Sequence, residues 1–118
     1  MIDPVFANEL AHEWIAAWNS HDLERILSHY TDDFAMSSPL IMERGFHPSG
    51  TLHGKLAIRP YWQAGLAATP PIHFELDGIL IGADSIAILY RNQIGRRVIE
   101  VLVIGAGHRI IRGMAHYG

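Results

Sequence analysis

Residues 72–117 read IHFELDGILIGADSIAILYRNQIGRRVIEVLVIGAGHRIIRGMAHY, and their punctuation decides the fold class. Small turn-forming groups at Gly82-Ala83-Asp84, at Gly95 and at Gly105-Ala106-Gly107 divide this stretch into four apolar-rich segments of strand length. Segments rich in Ile, Leu, Val and Tyr, joined by short turns, form hairpins and leave no room for crossover helices, so the last third reads as an antiparallel meander. Its third segment, Arg97 to Ile104, is nearly all apolar with Glu100 as its one acid. Such a run predicts a strand covered on both faces.

Working back toward the N-terminus, Pro70-Pro71 stops a helix that Gly54 opens and that runs from Lys55 to about Ala68, with Ile58, Trp62 and Leu66 on one face. Pro60 lies inside it and predicts a kink or a late start. Before that helix, Thr51-Leu52-His53 reads as a short strand, and Gly45, Pro48 and Gly50 mark a loop. Asp32 to Pro39 reads as a turn followed by a short strand that Pro39 terminates. The chain opens with two helices. Asp3-Pro4 is a helix start, an oxygen-bearing N-cap followed by a residue with no N–H to satisfy. Phe6, Leu10, Trp14 and Trp18 then recur at helical spacing to form a buried face. Asp22 caps a second, short helix carrying Leu23, Ile26 and Leu27.

Helices first, a long run of hairpins last and one helix between short and long strands predict an α+β domain with a curved antiparallel sheet wrapped around the N-terminal helices. At 118 residues and 49% hydrophobic residues the whole chain, 1–118, is expected to be one domain with one core. Nine Lys and Arg are scattered among twelve Asp and Glu, giving a net charge of -3 and a pI near 6.2. With no basic run, neither nucleic acid nor an anionic membrane is an expected partner. No apolar run approaches the roughly 18 residues of a membrane span, and the N-terminus lacks the basic start of a secretory signal. There are no cysteines, which removes disulfide and thiolate chemistry and fits a cytoplasmic protein.

The stretches WNSHDLERI at 18–26, TDDFAMSSP at 31–39, LHGKLAIRPYW at 52–62 and RNQIGRRVIEVLVIGAGHRI at 91–110 resemble the SnoaL-like branch of the nuclear transport factor 2-like superfamily, to which ketosteroid isomerase also belongs. The resemblance implies a cone-shaped, cystatin-like fold around an apolar pocket and dimerisation through the outer face of the sheet. In different members the pocket isomerises, cyclises, dehydrates, hydrolyses or only binds, and the fold does not choose among these. The ketosteroid isomerase pattern sets an aspartate base before a proline, a tyrosine on the first helix and a second acid on a late strand. Here Ser38 precedes Pro39, Trp14 stands at the first-helix position, and Glu100 lies near the late acid. Serine does not shuttle a proton near neutral pH as a carboxylate does.

Glu100 is the leading candidate for chemistry, because a carboxyl among Val98, Ile99, Val101 and Leu102 is desolvated and its pKa rises toward the useful range. The structural alternative pairs it with Arg91 or Arg97 on the neighbouring strand, or turns it to water at the mouth of the cone. Tyr90 and His116, also on late segments, are candidate polar partners, and Trp14, Met36, Ser38 and Trp62 are candidate lining for a ligand. Asp22 and Asp33 are read as turn and cap residues. The eight histidines do not compose a metal site. His12-Glu13 lacks the second histidine of HExxH because position 16 is Ala16, and His47, His53, His73, Glu75 and Asp77 have no motif spacing. Gly105-Ala106-Gly107 joins two strands, so it is no dinucleotide loop. The expected function is acid/base chemistry without metal or organic cofactor on a small apolar molecule bearing a carbonyl or hydroxyl. The alternative is a non-catalytic ligand-binding or dimeric association module.

Overall fold

Asp3 accepts a hydrogen bond from the Phe6 N–H at 3.2 Å and Pro4 sits in the first turn, so helix α1 spans Pro4–Ser20 in the computed structural model, which describes residues 1–118. Its buried face carries Leu10, Ala11, Trp14 and Trp18, and His21 closes it in the left-handed region at φ 60°. Helix α2, Leu23–Leu27, starts from Asp22, whose carboxylate accepts from the Arg25 N–H as the sequence predicts for a cap. A clip joins the two helices. Arg25 donates twice to Glu13, at 2.7 and 3.0 Å, and His29 lies 2.9 Å from the same carboxylate.

Strand β1, Tyr30–Ser37, is followed not by a loop but by a one-turn helix, α3, Pro39–Glu43. The cause is the signature seen at residues 3 and 4. Ser38 caps the helix through its hydroxyl, which accepts from the Leu40 N–H at 3.2 Å, and Pro39 occupies the first turn. Strand β2, Thr51–His53, and helix α4, Lys55–Ala67, then follow. Helix α4 runs through Pro60; the carbonyl that loses its donor belongs to Leu56, an exposed residue. The four predicted late strands are β3 Glu75–Ile81, β4 Ser85–Arg91, β5 Arg97–Ile104 and β6 Ile110–Tyr117. Asn92 shapes the β4–β5 turn by accepting from the N–H groups of both Ile94 and Arg96. Gly95 supplies the positive φ of 76° that the turn requires.

The six strands form one sheet in the order β2-β1-β6-β5-β4-β3. All neighbours are antiparallel except β1 and β6, which run parallel, so the sheet is mostly rather than wholly antiparallel. Helix α1 packs against β3, and α4 against β1 and β2, so the helices cover one face. The register defines that face in three rows: Ile86, Leu102, Gly113, Met36 and Leu52; then Ile88, Glu100 and Ala115; then Tyr90, Val98 and Tyr117. The opposite face carries Leu89, Ile99 and His116 in one row and Ala87, Val101 and Met114 in the next. Strand β5 is therefore covered fully on one side only, and Ile99 is 39% exposed. This corrects the expectation from its composition, since its second apolar face is open in the single chain.

Candidate functional site

Between the covered face and the helices lies a cavity of about 180 Å³. Glu100 stands on its wall in the middle row of the sheet, between Ile88 and Ala115, and is 3% exposed. Neither Arg91 nor Arg97 pairs with it. Both lie on the outer side of the register, and Arg91 instead approaches Asp77 at 3.4 Å. The Tyr90 hydroxyl donates to Glu100 Oε1 at 3.2 Å, while Oε2 has no hydrogen-bond partner. Burial pushes the Glu100 carboxyl up to about 8, against a partial pull downward from the Tyr90 hydrogen bond. The acid is therefore mostly protonated at neutral pH and able to donate.

Gly113 makes room for this arrangement from the neighbouring strand. A Cβ there would lie 2.9 Å from Met36 Sδ and 3.9 Å from Glu100 Oε2. Aromatic rings form much of the remaining wall. Phe74 packs 4.4 Å from Tyr90 and 5.9 Å from Trp14 between ring centroids, and Trp62 lies 5.1 Å from Trp18 and 5.2 Å from Tyr30. Asn19 fixes Phe74 by pairing with both its N–H and its carbonyl, at 2.7 and 3.0 Å. The Trp14 indole donates to the Tyr30 hydroxyl at 2.9 Å. The Tyr30 O–H is thereby left to donate elsewhere, and burial, with the nearby Glu100, pushes this phenol far up.

Trp14, Met36, Ser38 and Trp62 all border the cavity, as do Tyr90 and Glu100. Ser38 is buried, its hydroxyl occupied in capping α3. His116 is not brought to them. Its register partner is Ile99, so its exposed side chain lies in an outer groove with Asp77, Arg91, Arg97 and Leu89. Asp33 is exposed, as are His47, His53 and His73. No three His, Cys, Asp or Glu side chains cluster closely enough to hold a metal.

Tyr30, Tyr61, Tyr117 and Arg44 are among the bordering residues that the sequence does not single out. Tyr61 was accessible in principle, because it falls three residues after Ile58 on the buried face of α4. Tyr117 follows Ala115 by the strand period of two, but which of Tyr117 and His116 faces inward depends on the turn before β6. That turn contains a short helical turn, Ala106–His108, and a register shift at Val103/Ile104, neither of which the spacing of glycines encodes.

Comparison with known proteins agrees with this architecture. The model of the SnoaL-like domain matches residues 11–117. A SnoaL-like protein of unknown function from Burkholderia thailandensis is 46% identical, with a TM-score of 0.95 over 99% of this chain and 98% of that one. An NTF2-like protein of unknown function from Cytophaga hutchinsonii shares the fold at 11% identity and a TM-score of 0.74, covering 100% of this chain and 95% of its own. So does SalBIII, described as an epoxide hydrolase/cyclase-like enzyme with a role in pyran ring formation in the polyether salinomycin, at 18% identity and 0.77, over 100% and 95%. No curated protein matches the chain. With a family match over nearly its whole length and a near-superimposable relative, this chain belongs to the SnoaL-like family, and its fold is that of NTF2-like proteins.

Proposed function

We propose that this protein is a cofactor-independent acid/base catalyst, an isomerase, cyclase or dehydratase, acting on a small and largely apolar molecule with a carbonyl or hydroxyl oxygen. The observation that carries this reading is the buried carboxyl of Glu100 on the cavity wall, with Oε2 unpaired, the Tyr90 phenol on Oε1 and the Tyr30 phenol bordering the same cavity. In this scheme the Glu100 proton passes to the substrate oxygen as the carbonyl enolises or the hydroxyl departs. The carboxylate so formed recovers a proton from the adjacent carbon or from an attacking hydroxyl, so that the residue ends as it began. The Tyr30 phenol, whose O–H is left to donate, hydrogen-bonds the same oxygen and so assists its polarisation. Trp14, Trp62 and Met36 form the apolar walls. SalBIII lends support only in that a protein described as epoxide hydrolase/cyclase-like has this fold.

A cavity of about 180 Å³ suits one substituted ring, since an apolar cavity of about 150 Å³ accepts benzene. The test is hydrogen–deuterium exchange beside the carbonyl of small cyclic ketones, followed by NMR in deuterium oxide. Wild type should accelerate exchange and Glu100→Gln should abolish the acceleration. A ketone that binds but exchanges equally in both proteins would instead support a passive binding module. One observation favours that second reading: Glu100 is the only Asp, Glu or His bordering the cavity, so no separate base stands opposite it.

The outer face of the sheet supports a homodimer as the working unit. Leu89, Ile99, Val101 and Met114 form a continuous apolar area there, and Leu80 at 63% exposed adjoins Ala87 in register. Residence in the cytoplasm is proposed from the cysteine-free composition. No helix is long and apolar enough to cross a membrane.

A further inference from the structure

The border of the cavity is uneven in charge. Among the bordering residues the ionisable groups other than phenols are Glu100, Arg44 and Arg96. Glu100 is mostly uncharged at neutral pH, which leaves the opening positive. The two arginines converge on Tyr117. Arg96 lies over its ring, 4.8 Å from guanidinium carbon to centroid, and is further held by donating from Nε to the Gly118 carbonyl at 2.9 Å. Arg44 follows the last residue of α3 and reaches toward α4, where its Nη1 lies 3.8 Å from the place a Cβ on Gly65 would occupy. Burial pushes the Tyr61 and Tyr117 phenols up, and against it a hydrogen bond with Ser38 and, more weakly, the nearby Arg44 charge pull both down.

Arg44 differs from the other cations near helices. Arg25, Arg59 and Lys55 are each paired, with Glu13, Glu24 and Asp32. Arg44 has no ion pair, and its chain neighbour Glu43 does not form one with it. The structure thus sets an unpaired guanidinium, with two phenol donors behind it, at the open end of an apolar cavity whose inner end holds a neutral acid. A guanidinium fork and phenol O–H groups are all donors, and a carboxylate is the small anion that satisfies such a set.

We propose that the ligand carries a carboxylate which Arg44 receives at the mouth, with Tyr61 and Tyr117 as further donors, while its ring and its oxygen function extend inward toward Glu100. The ligand class is a single-ring, oxygen-bearing carboxylic acid. This inference rests on the reading of the cavity as a small-molecule site, and the test separates the two.

Trp14, Trp18 and Trp62 all border the cavity, so binding is read directly from tryptophan fluorescence. Phenylacetate and phenylacetamide, equal in shape and different in charge, are titrated at neutral pH into wild type, Arg44→Gln and Arg112→Gln. The last removes an exposed arginine from the outer face and controls for net charge. Phenylacetate should bind wild type roughly tenfold more tightly than the amide, as charge-assisted hydrogen bonds allow. Arg44→Gln should erase that preference by weakening the acid alone, Arg112→Gln should keep it, and added salt should erode it. If the amide binds as well as the acid, or Arg44→Gln weakens both alike, the carboxylate clamp is wrong and the cavity reading stands. If neither compound binds, both fall together.

Discussion

Protonation of Glu100 couples the stability of the whole fold to pH, and the sign follows from its burial. Its native value is raised from 4.5 to about 8, so in the interval between them the unfolded chain releases a proton that the folded chain keeps. The contribution of Glu100 to stability is therefore greatest below about 4.5, falls as pH rises, and levels off once pH has passed through about 8. At about 1.4 kcal/mol per pH unit, integrating from about pH 5 to about pH 7 gives a loss of about 2–3 kcal/mol. The full span is about 5 kcal/mol. Glu13 does not obscure this, because the Arg25 hydrogen bonds lower its carboxyl to about 2; its contribution is present above 4.5 and is lost only on acidification. The assay is urea unfolding of wild type and Glu100→Gln across this pH range. The glutamine keeps the shape and the Tyr90 contact without the titration, so the stability of the variant minus that of wild type should grow by about 2–3 kcal/mol between about pH 5 and about pH 7. For a chain of this size that is on the order of 10 °C in melting temperature. A difference that stays flat within about 0.5 kcal/mol would mean that the carboxyl is solvated in the native protein and that the reasoning about its burial is wrong.

Tyr90→Phe removes the hydrogen bond that holds the Glu100 value down. It should cost about 1 kcal/mol and move the pH midpoint of the stability profile upward, as the same urea series would detect. Gly113→Ala places a methyl 2.9 Å from Met36 Sδ. Because methionine adapts, about 1–3 kcal/mol of destabilisation is expected, together with a loss of tryptophan-detected ligand binding. Ile99→Asp introduces a charge in the centre of the outer sheet face. Sedimentation should show a dimer for wild type and a folded monomer for the variant, whereas an unchanged sedimentation coefficient would place the association surface elsewhere.

The late strands were legible because their residues are β-formers and their turns are marked by glycine, and α1 and α2 because Asp3 and Asp22 are unambiguous caps. The same cap chemistry at Ser38 was read only as a strand end, so α3 was missed, and with it Arg44 at the mouth of the cavity. The burial of Glu100 was legible because an acid surrounded by aliphatics is conspicuous in any strand. His116 was misplaced because inward and outward positions on β6 differ by one residue, and the register shift before that strand sets the parity. The role of Tyr30 depends on a contact with Trp14 from another element, information that no local pattern holds.

The parallel pairing of β1 with β6 has a kinetic consequence. Met36 and Gly113 are far apart in the chain yet adjacent in the sheet, so the centre of the sheet closes only after a long loop has been drawn in, an entropic cost met before most of the burial that rewards it. The β3–β4–β5 meander is local and free to assemble early, but Ala115 and Tyr117 border the cavity from the strand that arrives last in sequence. Glu100 pairs in register with Ala115 of β6, so its burial is complete only once that strand is in place, and a change in its titration is expected to report that step of folding.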